Sequence, residues 1–209
     1  MNAEDYLAKI ETLPLHSHTP VSWGYAVLAD PIALLSDHAF LEKKAAANAL
    51  ELMTRWPDGG VEGWVETMTD IARDEAVHLS QVTRILTRRG GEIDRGHRNP
   101  YAKALRQLVR MGSQGETLDR LLTSALIEIR SCERFAVLAE AASDDPELES
   151  FYRTLFGSEF GHYRVFLKLA KKIAAEEEVE ERWQELLAAE ARILAEQPVG
   201  PRIHSGVPK

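Results

Sequence analysis

Two short stretches decide how this chain is read: Asp74-Glu75-Ala76-Val77-His78 and, later, Ser158-Glu159-Phe160-Gly161-His162. Each contains Glu-x-x-His. At a spacing of three on an α-helix the carboxylate and the imidazole project from one face, so both reach the same point in space. A single such pair says little, because a chain this rich in glutamate yields about one by chance. The surroundings of both pairs are helical. Val65, Met68, Ile71, Ala72, Leu79, Val82, Ile85 and Leu86 mark one apolar side from about 61 to 89, and Gly90-Gly91 closes that helix. Asp145-Pro146 opens the second, which runs to about Ala174.

Working outward, each helix has a hairpin partner. Asp30-Pro31 starts a helix over about 31–55, carrying Leu34, Leu35, His38, Leu41, Ala45, Ala49 and Leu52, and Trp56-Pro57-Asp58-Gly59-Gly60 stops it. Reflecting the Glu75/His78 midpoint across that turn lands near residue 42, which is Glu42. A helix over about 118–142 precedes the other turn. Reflecting Glu159/His162 lands near residue 130, where Glu128 is the closest acid. Between the hairpins lies a long crossover, 90–116, with one short helical stretch at Tyr101–Arg110. An acidic accessory helix over about 179–196 and an extended Pro/Gly-containing tail complete the chain. The expectation is an all-α, ferritin-like four-helix bundle with one long crossover, formed as a single domain over residues 1–209.

The chemistry follows from the facing positions. Glu42, Glu75, Glu128 and Glu159 sit among apolar or small neighbours one turn away, and a carboxylate buried there is costly unless it is paired or binds a cation. Four carboxylates with His78 and His162 suit two iron ions, manganese fitting nearly as well. Glu133 is the rival to Glu128. Five residues is about 140° round a helix, so both cannot face one site, and Arg130 and Arg134 make Glu133 a salt-bridged flank. His38 reads as a core histidine or a support for Glu42, Cys132 as a buried thiol or a cavity wall. Tyr163 reads as a packed side chain or an oxidisable one beside His162.

Composition sets further bounds. The chain has 209 residues, 25 basic and 33 acidic, for a net charge of −8. One cysteine excludes an intrachain disulfide, no signal peptide or membrane span is visible, and a cytoplasmic protein is expected. An acidic total argues against nucleic acid, but the charge is uneven. Arg84, Arg88, Arg89, Arg95, Arg98, Lys103, Arg106 and Arg110 stand against Glu92 and Asp94 alone, a local +6 that leaves −14 elsewhere. The segment reads either as a footprint for a polyanion, with His97 and Tyr101 for stacking and Pro201–His204 extending it, or as an ordinary solvated helix end.

The sequence resembles the bacterial tRNA 2-methylthio-N6-isopentenyladenosine hydroxylases over nearly its whole length. The likeness is carried by Asp74–His78, Ser158–His162, the block Leu126-Ile127-Glu128-Ile129-Arg130-Ser131-Cys132-Glu133-Arg134-Phe135, the tail Gly200-Pro201-Arg202-Ile203-His204-Ser205-Gly206, and Thr19-Pro20-Val21-Ser22-Trp23. It implies a monomeric, oxygen-dependent di-iron monooxygenase that hydroxylates the isopentenyl group beside the tRNA anticodon. An external electron donor is implied too, since no flavin or nicotinamide fingerprint is present. An apolar channel would admit the prenyl tail while the basic segment holds phosphates. Glu128 and Glu133 both fall inside the matching block, so the choice between them stays open. Other readings of the same helices are a ferritin-like iron oxidase or storage protein, a rubrerythrin-like peroxidase, and a non-catalytic binding module.

Overall fold

Local chemistry at the helix ends explains where each element begins. A computed structural model of the chain describes residues 10, 12–57, 60–112 and 115–208; Asp58 and Gly59 of the expected first turn lie outside them. Among the described residues the elements are helices α1 (Val21–Leu28), α2 (Pro31–Met53), α3 (Trp64–Arg88), α4 (Pro100–Arg106), α5 (Glu116–Ala141), α6 (Pro146–Ile173) and α7 (Glu176–Ala195), with no strand. Three of them start the same way. Asp30, Asn99 and Asp145 each accept a hydrogen bond from the backbone N–H three residues on, and proline follows at the first helical position.

α3 begins later than the periodicity suggests, because Gly63 is in the left-handed region (φ 73°) and breaks the run from Val61. It ends as expected: Gly90 (φ 77°) donates to Thr87 O and Gly91 to Leu86 O, which satisfies two of the terminal carbonyls. α4 is shorter than the expected 101–110 stretch. α1 is an addition: the Pro20–Leu28 segment forms a helix that packs on α5 and α2 through Trp23 and Val27.

α2 pairs with α3 and α5 with α6, the two hairpins of an all-α, ferritin-like bundle. α4 lies in the crossover, and α7 packs on α5, α4 and α6. The apolar core comes in two parts. One gathers Leu52, Met68, Leu122, Phe166 and Trp183, the other Leu34, Val82, Leu138, Tyr152 and Leu155. On α2 and α3 the residues that separate the two parts are Glu42, and Glu75 with His78; on α6, Glu159 and His162 follow the boundary between Leu155 and Phe156. A polar layer thus crosses the middle of the bundle. The tail after α7 is non-helical yet packed, with Ile203, His204, Ser205 and Gly206 buried.

Candidate metal centre

Each of the four long helices contributes to the polar layer. Glu42 comes from α2, Glu75 and His78 from α3, Glu128 from α5, Glu159 and His162 from α6, and all six are buried. Their donor atoms form two overlapping groups, each within 4.8 Å: Glu42, Glu75, His78 and Glu159, then Glu75, Glu128, Glu159 and His162. The glutamates of the two Glu-x-x-His pairs belong to both groups. Glu75 and Glu159 are therefore central, with one further carboxylate and one imidazole on either side. Contacts are close: His162 Nδ1 lies 2.7 Å from Glu75 Oε1 and 3.2 Å from Glu159 Oε2, and His78 Nδ1 lies 3.1 Å from Glu159 Oε1 and 3.6 Å from Glu42 Oε2.

Of these contacts, that between His162 Nδ1 and Glu159 Oε2 is aligned as a hydrogen bond. Glu75 Oε1, Glu159 Oε1 and His78 Nδ1 are buried without an aligned partner. Such orphaned donor atoms, converging from four helices, fit cations better than they fit one another. The charges say the same. Burial, with the negative charge of Glu159 added, raises the Glu75 carboxyl to about 7, and burial raises Glu42 and Glu128 as well. Burial also works on Glu159, but His162 and His78 outweigh it and hold that carboxyl low. The imidazoles lose affinity for protons by burial and regain more from the carboxylates, His78 reaching about 12 and His162 about 10. Without metal, the cluster collects protons as its positive charge. Two divalent ions would neutralise four carboxylates and leave both imidazoles neutral, the form that binds metal.

Supporting groups surround the layer. His38 Nε2 is 2.5 Å from Glu42 Oε1, and its ring stacks on Tyr152, so it is both a core histidine and a partner of Glu42. Asp74 Oδ2 lies 3.6 Å from His162 Nε2, the side of the ring away from the cluster. Cys132 is a buried thiol against Phe156 O, raised well above its ordinary range by burial, and Tyr163 packs against Trp183 and Phe160.

Glu133 is turned elsewhere, and it is buried rather than a flank. It accepts from Thr19 N (2.7 Å) and Thr19 Oγ1 (2.6 Å) and pairs with Arg130, which also binds Glu190 at 2.7 Å. Arg134 leaves it for the Trp23 ring, 3.9 Å away.

A cavity of about 400 Å³ opens on the layer. Its lining includes the buried carboxylates of Glu42, Glu75, Glu128 and Glu159; Leu41, Ala45, Ile127 and Phe135 give apolar wall; of the other polar residues Lys44 and Arg106 are exposed, Asn48 and Asn99 half-buried and Arg120 buried. Of the basic segment, only Arg106 lines this cavity. Arg88 and Arg89 pair with Glu147, and Arg89 also with Asp145, at the far turn of the bundle. Arg110 pairs with Asp119 at 2.8 Å. Arg84, Arg95, Arg98 and Lys103 are exposed. Three of the eight thus already pair with carboxylates. The two rings expected for stacking have partners within the fold: Tyr101 is buried and donates to Glu190, while His97 is 2.7 Å from Asp37 and stacks on Phe40. Composition showed the excess of arginines but not their partners, which lie 56 or more residues away for Arg89.

Fold and site together define a ferritin-like helical bundle whose buried carboxylate–histidine layer fits a di-iron centre. The chain belongs to the family described as tRNA-(MS[2]IO[6]A)-hydroxylase (MiaE), which matches residues 7–205. It is 38% identical over 191 residues, 91% of both chains, to the tRNA 2-(methylsulfanyl)-N(6)-isopentenyladenosine(37) hydroxylase of Pseudomonas putida. A protein of the same name from Salmonella typhimurium is 34% identical over 144 residues, 69% of this chain and 52% of that protein, so the chain matches about half of that relative. Among solved structures, Protein 43 with aldehyde deformylating oxygenase activity from Synechococcus superposes with a TM-score of 0.85 at 34% identity, covering 92% of this chain and 96% of that one. Among the described residues no helix is long and apolar enough to cross a membrane.

Proposed function

We propose that this chain hydroxylates the isopentenyl side chain of 2-methylthio-N6-isopentenyladenosine at position 37 of tRNA, the substrate named for its relatives. The observation that carries this reading is the cavity, whose lining joins exposed basic side chains and apolar wall to the buried carboxylate layer. Glu42, Glu75, His78, Glu128, Glu159 and His162 would hold two irons, with Glu75 and Glu159 shared, and manganese would occupy the same donors. A di-iron centre would supply the activation of dioxygen and the oxidation of an allylic C–H bond.

The rest is the protein's own work. Leu41, Ala45, Ile127 and Phe135 give an alkyl chain a dry wall and keep water from the reacting carbon. His38 holds Glu42 in one orientation, and Asp74 faces the outer nitrogen of His162. Among the lining residues Glu51 lies nine positions after Glu42 and Arg120 eight before Glu128, so the cavity reaches about 12 Å from the layer along these helices. That depth suits a nucleobase at the entrance with its side chain directed inward. The exposed Lys44 and Arg106 then meet the backbone phosphates. Insertion of one oxygen atom uses two electrons and two protons and releases water, so an external electron donor is part of the reading, as is action by a monomer in the cytoplasm.

The test is incubation with ferrous iron, a reductant, oxygen and tRNA carrying the modified base, followed by nucleoside mass analysis. A gain of one oxygen on the prenyl group is expected. Unchanged nucleoside under conditions that consume oxygen overturns the reading. The likeness to Protein 43 makes an aldehyde the natural control substrate, and efficient deformylation of it with no action on tRNA would favour that chemistry instead.

A further inference from the structure

The tail Gly200–Gly206 has no part in the metal layer, yet several buried groups hold it. The backbone N–H of Ile203 donates to Asp37 Oδ2 at 2.9 Å, Arg134 Nη2 donates to Ser205 O at 3.1 Å, and Trp23 Nε1 donates to Ser205 Oγ at 2.9 Å. Gly206 N donates to Pro198 O, and a Cβ on Gly206 would stand 2.1 Å from Gln197 O, so only glycine closes this turn. Residues from the start of the chain, from α2 and from α5 thus fix one small loop.

The side chain this loop presents is His204. Its ring stacks on Tyr101 with centroids 4.4 Å apart and planes at 14°, and Tyr101 is itself anchored to Glu190 at 2.9 Å. His204 is 6% exposed and lines the cavity that ends on the carboxylate layer. Its Nε2 is 3.5 Å from Ser131 Oγ, and its Nδ1 is buried with no partner. On the same cavity wall Thr123 Oγ1 is buried without a partner too. Unsatisfied polar atoms cost free energy in the free protein, a cost that a ligand with matching groups removes. Burial, with Arg134 and Arg130 nearby, keeps the His204 imidazole in its neutral form, which offers one donor and one acceptor.

We propose that His204 is a specificity-determining residue of this cavity, hydrogen-bonding the polar edge of the purine whose alkyl side chain points toward Glu42 and Glu128. An N6-substituted adenine presents an N–H beside a ring nitrogen, a donor and an acceptor side by side. The inference rests on the hydroxylase reading above.

His204→Phe tests it, because a phenyl ring keeps the stack on Tyr101 and removes both nitrogens. The expected variant binds iron and melts like the wild type, and binds unmodified tRNA equally well. Its kcat/KM for modified tRNA falls about tenfold or more, and less product forms per oxygen consumed. His204→Gln, which donates and accepts, restores part of the loss. Wild-type kcat/KM and coupling in His204→Phe would overturn the proposal, as would equal loss of iron and melting temperature in both variants, which marks a structural role. A wild-type protein that makes no product overturns the hydroxylase reading itself, and that outcome is distinct from turnover indifferent to His204.

Discussion

Glu128 and Glu133 are five positions apart on one helix, and their fates differ completely. Glu128 joins Glu75, Glu159 and His162, whereas Glu133 is held by Thr19 and Arg130. Helical geometry made them exclusive, and only the packing of α1 and its preceding strand of chain decided which faced the layer. The two substitutions should therefore separate. Glu128→Gln should cut bound iron below two per chain with little loss of stability in the metal-free protein, read by metal analysis and thermal melting. Glu133→Gln should leave iron loading intact and cost on the order of 3 kcal/mol, since it breaks a buried ion pair and weakens two hydrogen bonds. The reverse pattern would exchange their roles. His38 shows a different limit: its two readings, core and support, are both realised, because a buried imidazole can stack on one face and bond through one edge.

At the scale of elements, most helix starts and stops were legible in local chemistry. Asp30-Pro31, Asp145-Pro146 and Gly90-Gly91 act through contacts within four residues, so their meaning survives without tertiary structure. Asp30→Ala should cost about 1 kcal/mol through loss of the cap to Ala33 N, measured by chemical denaturation. α1 was not legible. It is short, has no side-chain cap, and depends on burying Trp23 against α5. The crossover is tied down at Asp119 on α5. Burial raises that carboxyl, but Arg110 and Arg182 outweigh it and hold it below its ordinary value. With the folded pKa below the unfolded one, the stabilisation is complete above the unfolded pKa and disappears as pH falls through the folded one. The melting-temperature gap between wild type and Asp119→Asn should thus be full at neutral pH and close below about pH 4. A gap independent of pH would show that packing alone is involved.

For the whole molecule, charge is the property most changed by folding. The +6 segment is partly paired off: Arg88 and Arg89 clamp α3 to the start of α6, whereas exposed Arg106 lines the cavity, as does Lys44. Arg89→Ala should lower stability while leaving tRNA affinity nearly unchanged. Replacing Lys44 and Arg106 with alanine should weaken tRNA binding and reduce its salt-dependence slope by about one per residue, with the melting temperature preserved. Filter binding across a salt series checks both, and equal effects would mean that Lys44 and Arg106 are not part of the nucleic-acid face. The metal layer is a whole-molecule property too, since it divides the core. Iron-loaded protein should melt well above chelator-treated protein, because ions that bind only the folded state stabilise it. Identical melting curves would place the metal outside this layer.

The order of the four long helices, the two Glu-x-x-His faces and Glu42 opposite the first of them were determined by sequence alone. Their information is periodic and local: a spacing of three or four positions, a capping residue, a turn across which depth can be reflected. Which carboxylates are shared, which arginines are already paired, and that a tail histidine walls the cavity were decided only by the tertiary structure. Those facts depend on side chains that meet across the bundle from distant parts of the chain, Trp23 with Ser205 and Tyr101 with His204 among them. No local period encodes such a meeting; it follows from burial and from the need of each buried polar group for a partner.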